Sequence, residues 1–356
     1  MMCRRVLIFV ILVILLSLPV RAMDFSAPAA PESAEEFLPK EADTFAEGLW
    51  NVLAAAVSAL EPSLAGAVKS CVRLFGAMLL VALAGQVLPK GQAVLELTGT
   101  AAVAALLLEP SGSLLELGVE TVRDLQEYGK LLQEYGKLLL PVLASALAAT
   151  GGVTASTGLY VGTAAFNTLL SAAIPSLLLP ILKLLLALSI AHGAVGEPIL
   201  ERLGALVRFC AEWALKLGLY LFTGYMAVTG VVSGAADALA GKAAKIAVSG
   251  AVPVVGGILS DAADAVLLSA ATLGSGAGIW GILTVLAVFL APALRIGVQY
   301  LLLKLTAAAG EALGCGRCAA VVGDFAGVLG LLMALCWTQA VMLLITSVCF
   351  LKGMGP

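Results

Sequence analysis

Residues whose types and spacing can support chemistry concentrate in one stretch of this sequence. Val231-Val-Ser-Gly-Ala-Ala-Asp-Ala238 is echoed by Ile258-Leu-Ser-Asp-Ala-Ala-Asp-Ala265, with Lys242, Lys245 and Pro253-Val-Val-Gly-Gly257 between the copies. Ser233 and Ser260 each suit a helix start, where a hydroxyl caps free amides. Asp237, Asp261 and Asp264 then fall in first turns, where the helix dipole favours carboxylates. Pro253 with Gly256 and Gly257 interrupts the chain between the two helices. The product is a helix–break–helix unit of small residues carrying three carboxylates and two lysines. It reads as a solvated loop between capped helices, as a broken helix facing a pore or transport path, or as a partner-docking surface. The residues themselves leave the three open.

Other chemistries find little support. His192 is the one histidine of the chain, which removes His-ligated haem, zinc proteases and most His-based acid–base work. Of seven cysteines, Cys71, Cys210, Cys336 and Cys349 sit in apolar stretches and read as small hydrophobes. Cys315-Gly-Arg-Cys318 is a C-x-x-C without the second ligand pair a zinc site needs. It reads as two small residues at a helix turn, with a local disulfide open on an oxidising side. No nucleotide-binding G-x-x-x-x-G-K-[ST] and no H-E-x-x-H occurs, and no strand is expected to carry a Gly-x-Ser-x-Gly elbow. Asp261 and Asp264 stand three apart, whereas an aspartyl pair needs carboxylates facing each other across helices. The expectation is a non-enzyme with no cofactor and no metal.

The elements that must position these residues follow from composition. Of 356 residues, 61% are hydrophobic and 12% charged, where a soluble domain carries about 25% charged. The mean hydropathy is +1.06. Long apolar runs exclude the alternation of a transmembrane β-barrel, and 38 glycines allow close helix packing in lipid. A formal net charge of −3 excludes a basic nucleic-acid binder. The expected fold is all-α: a polytopic helical membrane protein of about five to eight spans, some broken or re-entrant, with a short acidic N-terminal extracytoplasmic segment.

Residues 1–22 read as a signal peptide: Arg4 and Arg5, then apolar Val6 to Leu18, then Val20-Arg21-Ala22 as a cleavage site, with an uncleaved anchor as the alternative. Residues 23–66 form the acidic segment, in which Phe45, Leu49, Val52, Leu53, Ala56 and Leu60 recur at helical spacing. Residues 67–232 form a first membrane region. Within it Val72–Leu88, Ile174–Val195 and Ala211–Val232 read as spans, and Ala93–Leu108 as a short one. Ser113–Leu138 and Glu197–Arg208 read as interfacial helices, and Leu138–Ala149, with Pro141 inside, as a re-entrant or broken helix. The tandem heptads Leu125–Leu131 and Leu132–Leu138 should keep one face, because seven residues are nearly two turns. The repeat unit occupies 233–278. Residues 279–356 form a C-terminal membrane region with spans at Ile279–Leu294, continuing through Arg295 to Leu305, and Phe325–Phe350.

Thr229-Gly-Val-Val-Ser-Gly-Ala-Ala-Asp-Ala238, Lys242-Ala-Ala-Lys245 and Val252-Pro-Val-Val-Gly-Gly-Ile-Leu-Ser-Asp-Ala-Ala-Asp264 together resemble stage III sporulation protein AE of endospore-forming bacteria. Leu140-Pro-Val-Leu and Ala149-Thr-Gly-Gly152 fit in order, and the resemblance covers most of the chain; the tandem heptad departs from the family pattern. The resemblance implies a polytopic protein of the mother-cell membrane around the forespore. It implies partners too: other stage III A operon proteins and a forespore membrane partner, together forming a channel or secretion-like apparatus that supports late forespore gene expression. Membrane lipids, a possible homo-oligomer and no nucleic acid complete the expected partners. The alternative is a secondary transporter using the Asp-containing repeat as its site.

Overall fold

The computed structural model describes residues 31–38, 45–87, 92–148, 165, 168–169, 176–177, 179–228 and 276–352. The protein is all-α, with no strand among the described residues. A single turn, α1 (Glu32–Glu35), precedes α2 (Phe45–Val87), α3 (Gln92–Ala148), α4 (Leu179–Val195), α5 (Pro198–Val228), α6 (Gly276–Ala312) and α7 (Gly316–Lys352). Four stretches are long and apolar enough to cross a membrane: Ala46–Val87, Val94–Leu132, Trp280–Ala312 and Gly316–Leu344. This is the architecture of an all-α membrane protein. The apolar helix Pro180–Gly193 is shorter.

The six long helices form three hairpins, and all three turns lie at one end of the bundle. In the first hairpin Gly85 faces Leu95, and Gly99 faces Val81, so α2 and α3 run antiparallel. In the third, Gly310 lies beside Ala319 and Gly297 beside Met333. Phe289 meets Trp337 edge-on with ring centroids 4.5 Å apart. The second hairpin, α4–α5, is placed by Gly193 against Val321 and by Gly196 against Arg317. The chain therefore leaves α5 and re-enters α6 at the end opposite the turns.

Glycine ends two of these helices for a conformational reason. Gly314 has φ 82°, a left-handed geometry that a Cβ disfavours. Its N–H donates to the Glu311 carbonyl and that of Cys315 to the Gly310 carbonyl, at 3.0 and 3.1 Å, the paired bonds of a Schellman cap. Gly196 has φ 75° and donates to the His192 carbonyl at 2.7 Å, a single αL closure. Pro198 then opens α5, where its missing N–H costs nothing.

The core lies between α6 and α7, with α2 and α3 packed over it. In its most apolar window α7 is 78% buried and α2 17%, so α7 is the central helix and α2 a peripheral one. Close approach depends on missing side chains. Gly118 of α3 leaves room for Leu332, and Gly99 for Val81.

Several expected boundaries differ. The amphipathic stretch from Phe45 and the span from Val72 are one helix, α2, which passes through Pro62. Ala93–Leu108, Ser113–Leu138 and Leu138–Ala148 are likewise one helix of 57 residues, α3. Ser113–Leu138 is not spread along a membrane surface over its described side chains. Leu115, Val122, Leu125, Tyr128 and Leu132 are buried in the core, and the Tyr128 hydroxyl reaches the Gly281 carbonyl of α6 at 3.5 Å. Leu125 and Leu132, equivalent positions of the two heptads, are both buried, as a seven-residue repeat on one helix face requires. Glu197–Arg208 and the start of the expected Ala211–Val232 span are one helix, α5, with a Lys216–Glu212 ion pair at 3.5 Å along its middle.

Candidate functional site

Ser233, Asp237, Lys242, Lys245, Pro253, Gly256, Gly257, Ser260, Asp261 and Asp264 all lie outside the described residues. The signal-peptide residues 1–22 do as well. What the structure brings together is a different set: polar and charged groups at the contacts between helices of an apolar bundle.

The first group joins α5 to α7. Arg208 Nη2 lies 3.7 Å from Asp324 Oδ1 and donates to the Asp324 carbonyl at 3.3 Å. Its guanidinium fills the place a side chain on Gly327 would take. Both side chains are about one-third exposed, so in water such a pair contributes about 0.2–1 kcal/mol. Between helices in lipid the measured range is similar, averaging about 0.6 kcal/mol. The pair orients α5 on α7 more than it stabilises the bundle.

The second group sits at the turn end. Arg317 Nε lies 3.6 Å from Glu96 Oε2, joining α7 to α3. Cys315 and Cys318 are free, buried thiols in the α6–α7 turn, as the small-residue reading expects. The Cys315 thiol donates to the Met78 carbonyl at 3.2 Å, and Cys318 Sγ lies 3.6 Å from Thr100 Oγ1. Burial raises the Cys315 thiol above its ordinary pKa, and nearby Cys318 and Glu96 add to the effect. The two cysteines thus fasten the turn to α2 and α3. Among the described residues, no group of three or more His, Cys, Asp or Glu side chains is placed to hold a metal.

The third group lies between α2, α3 and α6. Arg295 Nη2 donates to the Ala59 carbonyl at 3.1 Å. Arg295 and Gln299, one helical turn apart on α6, line a cavity of about 350 Å3 with Ser63, Ser70 and Ser113. Each serine hydroxyl donates to a carbonyl of its own helix: Leu60, Gly66 and Pro110. Sequence reading passed over Arg295 as an interruption within a span. A charge in the middle of an apolar run was the available signal, since ionisable groups at membrane depth are usually functional. The Arg208–Asp324 pairing had no such signal, because its partners are far apart in sequence.

Comparison with known proteins adds the family. A family model described as stage III sporulation protein AE matches residues 51–353. The chain is similar to the stage III sporulation protein AE of Bacillus subtilis (strain 168), at 26% identity over 177 residues. That alignment covers 50% of this chain and 44% of the relative, so the chain spans about half the length of the curated relative it matches. No solved structure matches it. The family match takes in α3, α4, α5, α6 and α7 entire, nearly all of α2, and the whole of the repeat region between α5 and α6. The chain belongs to the stage III sporulation protein AE family.

Proposed function

We propose that this protein is an integral membrane component of the stage III A complex, the channel or secretion-like apparatus that links mother cell and forespore. In this reading it sits in the mother-cell membrane around the forespore and serves forespore development after engulfment. Its partners are the other stage III A proteins and a forespore membrane protein. It has no catalytic role of its own. The observation that carries the reading is the family match over residues 51–353, which coincides with the bundle of apolar helices.

The bundle suits such a part. Partly exposed ion pairs join one helix to another, Arg208 to Asp324 and Arg317 to Glu96. Links of this kind set how neighbouring helices are oriented, while close packing holds the bundle together in lipid. The chain leaves α5 and returns to α6 at one end of the bundle.

The test is isolation from membranes of sporulating cells through an affinity tag on the full chain. Recovery of other stage III A proteins in the detergent-solubilised membrane fraction is the expected result. A chain found only in the soluble fraction, or recovered from membranes without any of them, would contradict the reading.

A further inference from the structure

The turn between α6 and α7 places two thiols side by side. The Cys315 carbonyl accepts the first helical bond of α7, from the Ala319 N–H at 2.9 Å. Cys315 is therefore the residue that caps the helix, and Cys318 is the third residue inside it. Side chains at these two positions turn toward each other, the relationship that a capping box uses. Three residues of helix separate two Cα atoms by about 5 Å, inside the range that a disulfide spans. The Cys318 thiol acts on Cys315 as a hydrogen-bonding neighbour, and both are free thiols.

Both thiols use their proton. Cys315 donates to the Met78 carbonyl of α2 at 3.2 Å. The Thr100 hydroxyl donates its own hydrogen to the Glu96 carbonyl at 2.6 Å, and a hydroxyl has one to give. Cys318, 3.6 Å from Thr100 Oγ1, is therefore the donor in that contact. A disulfide carries neither proton, so closing one removes both bonds and leaves the Arg317–Glu96 ion pair as a polar link from the turn to α3. The two cysteines line a cavity of about 190 Å3 with Gln86, Glu96 and Arg317. A Cβ at Gly316, which lies between them in sequence, would meet nothing within 4 Å. Burial holds the Cys315 thiol above its ordinary pKa. That slows exchange, and it withholds from the dithiol the thiolate stabilisation that makes the most oxidising C-x-x-C pairs easy to reduce.

We propose that Cys315 and Cys318 are a redox-modification site, a dithiol that closes to an intramolecular disulfide by exchange with a small-molecule disulfide. One cysteine thiolate attacks the external disulfide and expels a thiolate from it. The second cysteine attacks the mixed disulfide and expels the other. One S–S bond forms in the chain and one breaks in the reagent. Two electrons pass from the cysteines to the reagent, and their two protons end on the two released thiols. The inference goes beyond the assignment to the sporulation complex and does not depend on it.

The experiment equilibrates the full chain, reduced and in detergent, with oxidised glutathione at mildly alkaline pH. Remaining thiols are blocked with N-ethylmaleimide, and the chain is digested with trypsin without reductant. Arg317 gives a cut between the cysteines, so the reduced chain yields two separate peptides and the disulfide keeps them joined. The wild type is expected to reach half joining at about tenfold less oxidised glutathione than loads half of Cys315 in the Cys318→Ser variant, because its second step is intramolecular. Serine keeps a donor for Thr100, so this variant preserves the packing of the turn. Dithiothreitol should separate the wild-type peptides again. The peptide that begins at Cys318 also holds Cys336 and Cys349, so joined peptides in Cys318→Ser would overturn the proposal. So would glutathione retained on either cysteine of the wild type without joining. Thiols left unmodified in the folded chain, at a concentration of oxidised glutathione that joins them in the urea-unfolded chain, would overturn it as well.

Discussion

Arg295 of α6 and Ala59 of α2 are joined by a 3.1 Å hydrogen bond from guanidinium to backbone carbonyl. Pro62, three residues further along α2, deprives the Ser58 carbonyl on the same turn of its helical amide. A proline inside a helix leaves the carbonyl four residues back without its amide and loosens the turn before it. Arg295 docks on that turn. The bond ties the first half of α2 to the core of the bundle.

Two glycines of similar sequence context should respond oppositely to substitution. A Cβ at Gly118 would meet Leu332 at 2.6–2.7 Å, reaching its Cγ as well as its methyl ends. Gly118→Val should therefore push α3 off α7 and lower stability by about 1–3 kcal/mol. A Cβ at Gly76 meets nothing within 4 Å. Gly76→Ala should raise stability by up to about 1 kcal/mol through helix propensity. Thermal unfolding of the full chain in detergent reads both. Equal effects at the two positions would show that α3 and α7 are not in contact at Gly118.

Arg208 and Asp324 should be energetically coupled. A double-mutant cycle with Arg208→Leu and Asp324→Asn is expected to give about 0.5–1 kcal/mol of coupling. Additivity within about 0.3 kcal/mol would place α5 elsewhere on the bundle.

Cys315 should be a slow nucleophile near neutral pH. The thiolate is the reactive form, and burial holds this thiol's pKa above its ordinary value. Its labelling rate with iodoacetamide in the folded chain should keep rising with pH beyond about 8.5, the range in which a free thiol begins to level off. Mass mapping resolves it from Cys318, because Arg317 gives a tryptic cut between them. Rapid labelling already at pH 7 would contradict the packing of the α6–α7 turn against Met78.

The legible and illegible parts of this fold divide along physical lines. The helix end at Val195 and the turn at Cys315 were marked by glycine and by small residues, whose conformational meaning is local. The burial of Ser113–Leu138 was not legible. An amphipathic helix with Leu115, Val122 and Leu125 on one face and Glu116, Glu120 and Arg123 on the other has the same periodicity whether that face meets lipid headgroups or a protein core. Arg295 was visible as a charge in an apolar run, but its bond to Ala59 depends on how α2 and α6 lie together, which local sequence does not encode. The repeat with Asp237, Asp261 and Asp264 carried the family resemblance. The described helices show only the end of the bundle from which it departs and to which it returns.

The central claim is that this chain serves the sporulation complex of its family, and an in-frame deletion in its spore-forming host tests it most directly. The measurement is late forespore transcription after engulfment, with complementation by the wild-type gene. The account predicts engulfed forespores that fail to activate late transcription and collapse, with both defects reversed by the wild-type copy. Normal late transcription and normal spores in the deletion strain would contradict it.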